Sequence, residues 1–150
     1  MVFGPVCVPV PDGRFSPHVA GRGAPNYRRE PSVLPASHRM RSSAEFAQTM
    51  RCGTRASRPT VVVHAWRPDV EQTDVSRVGF VVSRSVGGAV VRNRVKRRLR
   101  ALVRPMAMEP ASNGCRIVVR ALPYAAIDSK RLPGDVQSAW SSAMAKAGVS

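Results

Sequence analysis

Nine cationic side chains stand between residues 77 and 104: Arg77, Arg84, Arg92, Arg94, Lys96, Arg97, Arg98, Arg100 and Arg104. No acidic residue interrupts the stretch from Val75 to Met108. Guanidinium groups make charge-assisted, often bidentate hydrogen bonds to phosphate oxygens, so the chemistry on offer is capture of a polyanion. Placed on a helix, Val91, Val95, Leu99, Leu102 and Val103 gather on about a third of its circumference, while Asn93, Lys96, Arg97, Arg100 and Arg104 fall opposite. A solvated face ordinarily mixes signs, because like charges four residues apart, such as Lys96 and Arg100, destabilise a helix by a few tenths of a kcal/mol. Nothing within the run offsets that repulsion. A phosphate-binding helix is therefore expected, with a merely solvated helix as the alternative.

Other chemistries are weakly represented. His18, His38 and His64 have no cysteine, serine or carboxylate at a telling spacing, and Gly87 and Gly88 fit neither the P-loop nor the dinucleotide pattern. His64 alternates with Val63 along a strand and reads as a structural histidine. Cys7, Cys52 and Cys115 form no CxxC pair and no zinc-type cluster. No catalytic constellation of protein side chains is visible. The whole chain agrees with the local signal: 150 residues carry 24 Lys plus Arg against 9 Asp plus Glu, a formal net charge of +15. Such a field raises the local concentration of polyanions, nucleic acid first and an anionic membrane surface second. No window approaches the ~18 uninterrupted apolar residues of a membrane helix. Met1 to Val10 is apolar but broken by prolines and preceded by no basic residue, so a secretory signal is not expected and cytoplasmic residence follows.

The elements that must position the basic helix can be read around it. Residues 1–33 are rich in proline and glycine without periodicity and read as a disordered extension, followed by one domain over 34–150. Ser42-Ser43-Ala44-Glu45 fits a capping box opening a short helix that places Phe46 and Met50 on one face and ends at Gly53. Thr60 to Trp66 and Arg77 to Ser83 read as two strands of a hairpin joined by an acidic connection through Asp69, Glu71 and Asp74. The long helix is expected from Ala89 to Arg104, stopped by Pro105. Arg116 to Ala121 reads as another strand and Pro133 to Ala147 as a final helix. With one extra short strand around Thr54 to Pro59, the result is an α+β two-layer domain, α-β-β-(β)-α-β-α, with helices on one side of a mixed sheet.

The segment RVGFVVSRSVGGAVVRNRVKRRLRALVR, Arg77 to Arg104, resembles the signature of the bacterial ribonuclease P protein family, with Arg92, Asn93 and Arg94 at its Arg-Asn-Arg hallmark. LPASHRMRSSAEF, Leu34 to Phe46, is similar to the family's opening, and GCRIVVRALPYA to its last strand. The resemblance implies a protein that binds a large catalytic RNA, one copy per RNA, and precursor tRNA, while the RNA, with Mg2+ held mainly by the RNA, removes the 5′ leader. It implies RNA contacts at Arg84, Arg92, Asn93, Arg94, Lys96, Arg97, Arg98 and Arg100. It also implies a leader-binding cleft between the first helix and the sheet, carrying Phe46, Met50, Val61, Val63 and Phe80. A left-handed β-α-β crossover follows from the same resemblance, against the usual right-handed rule. Three positions depart from the family pattern: Gly88 stands where Asn is usual, removing a side-chain helix cap, Val61 and Val63 are aliphatic where an aromatic is common, and Ser85 replaces a cation. A ribosomal or generic RNA-binding protein is the alternative. A helix-turn-helix DNA binder is disfavoured, because the basic helix lies between two strands.

Overall fold

The computed structural model describes residues 8–9, 15–16, 34–68 and 75–148. The chain divides into two compact units, Met1–Glu30 and Pro31–Ser150. In the first, Val8–Pro9 pairs antiparallel with Phe15–Ser16. The rest of the expected extension, and the acidic connection through Asp69, Glu71 and Asp74, lie outside the described residues.

The second unit carries helix α1 (Ser43–Cys52), strands β1 (Thr54–Ser57), β2 (Val61–Trp66) and β3 (Arg77–Val82), and helix α2 (Ala89–Ala107). Strand β4 (Arg116–Ala121), the short helix α3 (Tyr124–Ile127) and helix α4 (Leu132–Lys146) complete it. The extra strand anticipated after the first helix is β1; α3 was not anticipated. The four strands lie in the order β1-β2-β4-β3, antiparallel except for the parallel pair β3 and β4. The sheet is mixed, as expected.

β2 and β3 are not a hairpin, because β4 sits between them. Burial explains the choice. Ile117, Val118 and Val119 are consecutive and fully buried, and since successive strand residues point to opposite faces, only a strand covered on both sides can hold such a run. β3, with half-buried Phe80, Val81 and Val82, takes the edge.

Alternation divides the sheet into two faces. Val61, Val63 and Ala65 of β2, Val78 of β3, and Ile117 and Val119 of β4 share one apolar cluster with Leu99 and Val103 of α2 and Val136 and Trp140 of α4. Val62 and Val118 are buried but belong to the other face, outside that cluster. α1 lies there, so the helices do not all share one side. Gly79 makes this possible: a Cβ at that position would collide with the Phe46 ring.

Two local expectations fail for reasons of tertiary structure. Ser42 does precede α1, but no side-chain cap bond forms. Its capping-box partner Glu45 instead accepts from Arg77 at 2.6 Å and lies 3.9 Å from Arg116. Pro105 does not stop α2, which runs on to Ala107. The final turn is held from outside: Ser112 Oγ donates to the Met106 carbonyl at 2.8 Å, Ser76 Oγ donates to the Ala107 carbonyl at 2.5 Å, and Ala107 itself is buried. α4 is fastened to the start of β2 by the buried Asp135, whose Oδ2 accepts from Thr60 Oγ1 at 2.8 Å and from Thr60 N–H at 3.2 Å.

Candidate nucleic-acid interface

The apolar stripe of α2 is buried as its spacing requires, while Lys96, Arg100 and Arg104, expected opposite it, are half-buried. Val95, Leu99, Val103 and Ala107 are buried against the sheet, with Val91 and Leu102 half-buried beside them. Burial of Leu99 alone is worth about 1.5–3 kcal/mol of transfer free energy, and that apolar seam fixes the rotation of the helix. Asn93, Arg94, Arg97 and Arg98 are consequently exposed, while Arg92, Lys96 and Arg100 flank the seam, half-buried and one turn apart. The helix contains no acidic residue. Arg84 is exposed in a 3-10 turn, Arg84–Val86, between β3 and α2.

The approach to α2 depends on two glycines. Gly87 has φ of 142°, a region that L side chains rarely adopt, and a Cβ there would also crowd Val91. Gly88 is the N-cap and supplies no side-chain cap bond, which agrees with the departure noted from the family pattern. The first N–H groups of α2 thus stand at an end with no capping side chain and no acidic residue in the first turn, where a helix favours negative charge.

Beside this helix lies a cavity of about 430 Å³ lined by Phe46, Phe80, Val81, Val82, Ala89, Arg92, Asn93 and Lys96. It brings aromatic rings from α1 and β3 together with cations from α2. Of the positions anticipated for a leader cleft, Phe46 and Phe80 line it. Met50 is exposed one turn further along α1 and is not among the lining residues. Val61 and Val63 are wholly buried on the face away from Phe46, in the α2 and α4 core against which Phe80 also packs. The strand's odd and even positions were thus assigned to the wrong sides: Val62, His64 and Trp66 face α1.

That register exposes a group of residues which the sequence reading passed over. His64 stands directly across from Arg55 on β1, and Arg120 on β4 is its diagonal neighbour, opposite Val62. Burial, then Arg55 and Arg120, lower the His64 pKa below its ordinary 6.5. Its Nδ1 is buried with no hydrogen-bond partner. With Arg77 and Arg116, this face carries a second cationic field whose described counter-charge is Glu45. The usable signal was the two-residue period of TVVVHAW, which became readable once the sheet partners fixed which side is dry.

The donor set does not suit a resident magnesium ion. That cation prefers carboxylate and other oxygen ligands, whereas the cavity presents two cations, one amide and apolar groups. Among the described residues no group of three or more His, Cys, Asp or Glu side chains could hold a metal. No described helix is long and apolar enough to cross a membrane.

The fold and site define a basic α+β domain that presents one cationic helix beside an aromatic cleft, a nucleic-acid-binding protein. The family model described as Ribonuclease P matches residues 34–144. The ribonuclease P protein component of Beutenbergia cavernae is 50% identical over 111 residues, covering 73% of this chain and 91% of that relative. That of Streptomyces avermitilis is 47% identical over 115 residues, covering 71% and 92%. Among solved structures, the RNase P protein of Staphylococcus aureus superposes with a TM-score of 0.61 at 22% identity, covering 69% of this chain and 93% of that one. The Thermotoga maritima RNase P protein gives 0.55 at 24% identity, covering 67% and 92%. The chain belongs to the bacterial ribonuclease P protein family. It acts with an RNA subunit in maturing the 5′ end of tRNA, in a holoenzyme that is an endoribonuclease with catalysis carried by the RNA.

Proposed function

We propose that the two halves of the interface divide the work. The α2 face, with Arg92, Asn93, Arg94, Lys96, Arg97, Arg98 and Arg100, and Arg84 in the preceding turn, contacts the catalytic RNA. The cleft walled by Phe46 and Phe80 holds the single-stranded leader of the precursor, with Met50 at its margin and the His64 face of the sheet extending it. One observation carries this reading: a single cavity joins the aromatic positions of α1 and β3 to Arg92, Asn93 and Lys96. Aromatic faces stack on unpaired bases and cations track the backbone, the combination used for single-stranded nucleic acid. Magnesium is held mainly by the RNA, since the chain's cleft offers it no carboxylate. One chain serves one RNA, and the complex works in the cytoplasm.

Rigidly mounted cations should outweigh the same number on residues 1–33. Arg92→Ala with Arg94→Ala is expected to weaken binding to the catalytic RNA far more than Arg14→Ala with Arg22→Ala, measured by titration at matched salt. Equal losses in the two double variants would remove the assignment of α2.

A further inference from the structure

The inner wall of the cleft is the free edge of β3, and much of what that edge presents is main chain. β3 pairs with β4 on one side only. The Arg77 N–H donates inward to the Cys115 carbonyl at 2.9 Å, whereas the Val78 carbonyl, one residue on, accepts outward from Met40 N–H at 3.0 Å. The N–H and C=O of a strand residue leave on the same side, and successive residues alternate. Phe80 and Val82 therefore aim their amides and carbonyls outward, away from β4. The Met40 contact ends at Val78, and no main-chain bond from the described residues reaches these groups.

An unpaired edge of this kind is ordinarily covered or blunted. Here it opens into the cavity, with Phe46 on one flank and Arg92, Asn93 and Lys96 on the other. The Phe80 carbonyl and the Val82 N–H form an adjacent acceptor and donor, the pair that a neighbouring strand residue would otherwise engage. A nucleobase edge offers the complementary pair, for example an exocyclic amino group beside a ring nitrogen. Cations on the adjoining wall select an anionic polymer over a neutral peptide strand. We propose that the β3 edge reads one unpaired leader nucleotide through its main chain, the Phe80 carbonyl accepting from the base and the Val82 N–H donating to it, while Arg92 and Lys96 hold its phosphates.

This inference rests on the leader-binding reading above and adds a specificity determinant that no side chain carries. It also explains how an edge strand whose side chains at the cavity, Phe80, Val81 and Val82, are all apolar discriminates among bases.

The test has two arms. On the precursor side, leader nucleotides are replaced one at a time by an abasic residue, and adenosines also by purine riboside, which lacks the exocyclic amine. With the unaltered chain in the reconstituted holoenzyme, one leader position should lose about three- to tenfold in affinity when a single base hydrogen bond is removed. On the protein side, Val82→Pro deletes the outward N–H; proline is tolerated on an edge strand whose N–H faces away from the ladder. Val82→Ala retains that N–H and controls for the side chain. Val82→Pro should lose about three- to tenfold in affinity for the unaltered precursor while keeping the further loss on purine riboside substitution that reports the Phe80 carbonyl, and Val82→Ala should bind as the unaltered chain does. Unfolding curves and catalytic-RNA affinity report whether the proline variant is intact. If it is not, the precursor series alone decides: a base contact insensitive to loss of edge donors and acceptors overturns the proposal. If an abasic residue at every leader position leaves affinity unchanged, the leader is not in the cleft, and the underlying reading fails as well. If one abasic position matters but Val82→Pro and Val82→Ala behave alike, main-chain reading alone is wrong.

Discussion

The two faces of the β-sheet are built to different rules. The face under α2 and α4 is dry: Val61, Val63, Ile117, Val119, Leu99 and Val136 meet there with essentially no exposure. The face under α1 carries Arg77, Arg116, Arg120, Arg55 and His64, a buried Thr49, and a glycine where a side chain would obstruct Phe46. Apolar packing on the first face supplies the cooperative stability. The second accepts desolvated polar groups and like charge, a cost that Glu45 offsets in part and a bound anion would offset further. The dry core and the His64 cationic face are thus separated by the thickness of one sheet, and residues adjacent in sequence, such as Val63 and His64, serve opposite purposes.

The largest effect should come from the dry face. Leu99→Ala removes a fully buried side chain and should cost about 2–5 kcal/mol in denaturant unfolding, while the folded fraction keeps its affinity for precursor within about twofold. A leader-binding defect in the folded fraction would mean that the faces are not independent. Gly79→Ala addresses the opposite face: the new Cβ meets the Phe46 ring, an overpacking cost of about 1–3 kcal/mol. It should weaken binding of leader-bearing precursor more than binding of mature tRNA. In a Phe46→Ala background the stability cost should largely vanish, a non-additivity that a double-mutant cycle reads directly.

Smaller changes sharpen the electrostatic half of the comparison. Glu45→Gln removes the carboxylate between Arg77 and Arg116. Because that pair is partly solvated, stability should fall by no more than about 1 kcal/mol, while precursor affinity rises and its salt dependence steepens by about one released counterion. The smallest effect concerns His64. Its folded pKa lies below the ordinary 6.5, so the unfolded chain binds the proton more tightly. The stability it contributes is complete above about pH 6.5 and is lost as pH falls through the lowered folded value. Unfolding curves at about pH 7.5 and about pH 5.5 should show less acid destabilisation for His64→Gln than for the unaltered chain. An unchanged difference between the two pH values would place the acid sensitivity elsewhere.

How much could be read beforehand follows the same division. The apolar stripe of α2 was legible because a helix declares its faces through local spacing: Val95, Leu99 and Val103 are buried as the period requires, whereas of the residues placed opposite only Asn93 and Arg97 are exposed, and Lys96, Arg100 and Arg104 are half-buried. The strand segments were legible as strands but not as faces. Whether Val61 and Val63 or Val62 and His64 meet the core depends on which layer covers each side, and TVVVHAW is apolar on both. The hairpin misreading has the same origin, since pairing β2 with β4 instead of β3 is decided by distant residues Ile117 to Val119. The capping box failed because Glu45 found Arg77, 32 residues away, a stronger partner than the backbone of Ser42. Arg55 and Arg120 were missed for want of a register.

In the proposed division of labour, this chain lends cations and a leader cleft to an RNA that performs the chemistry. The most direct measurement is cleavage of precursor tRNA by the catalytic RNA, with and without the chain, across a magnesium titration. If the chain screens phosphate repulsion and holds the leader, acceleration should be greatest at low magnesium and shrink as the ion rises, with RNA alone cleaving at high magnesium. An acceleration equal at all magnesium concentrations, or no cleavage by RNA alone at any of them, would contradict it.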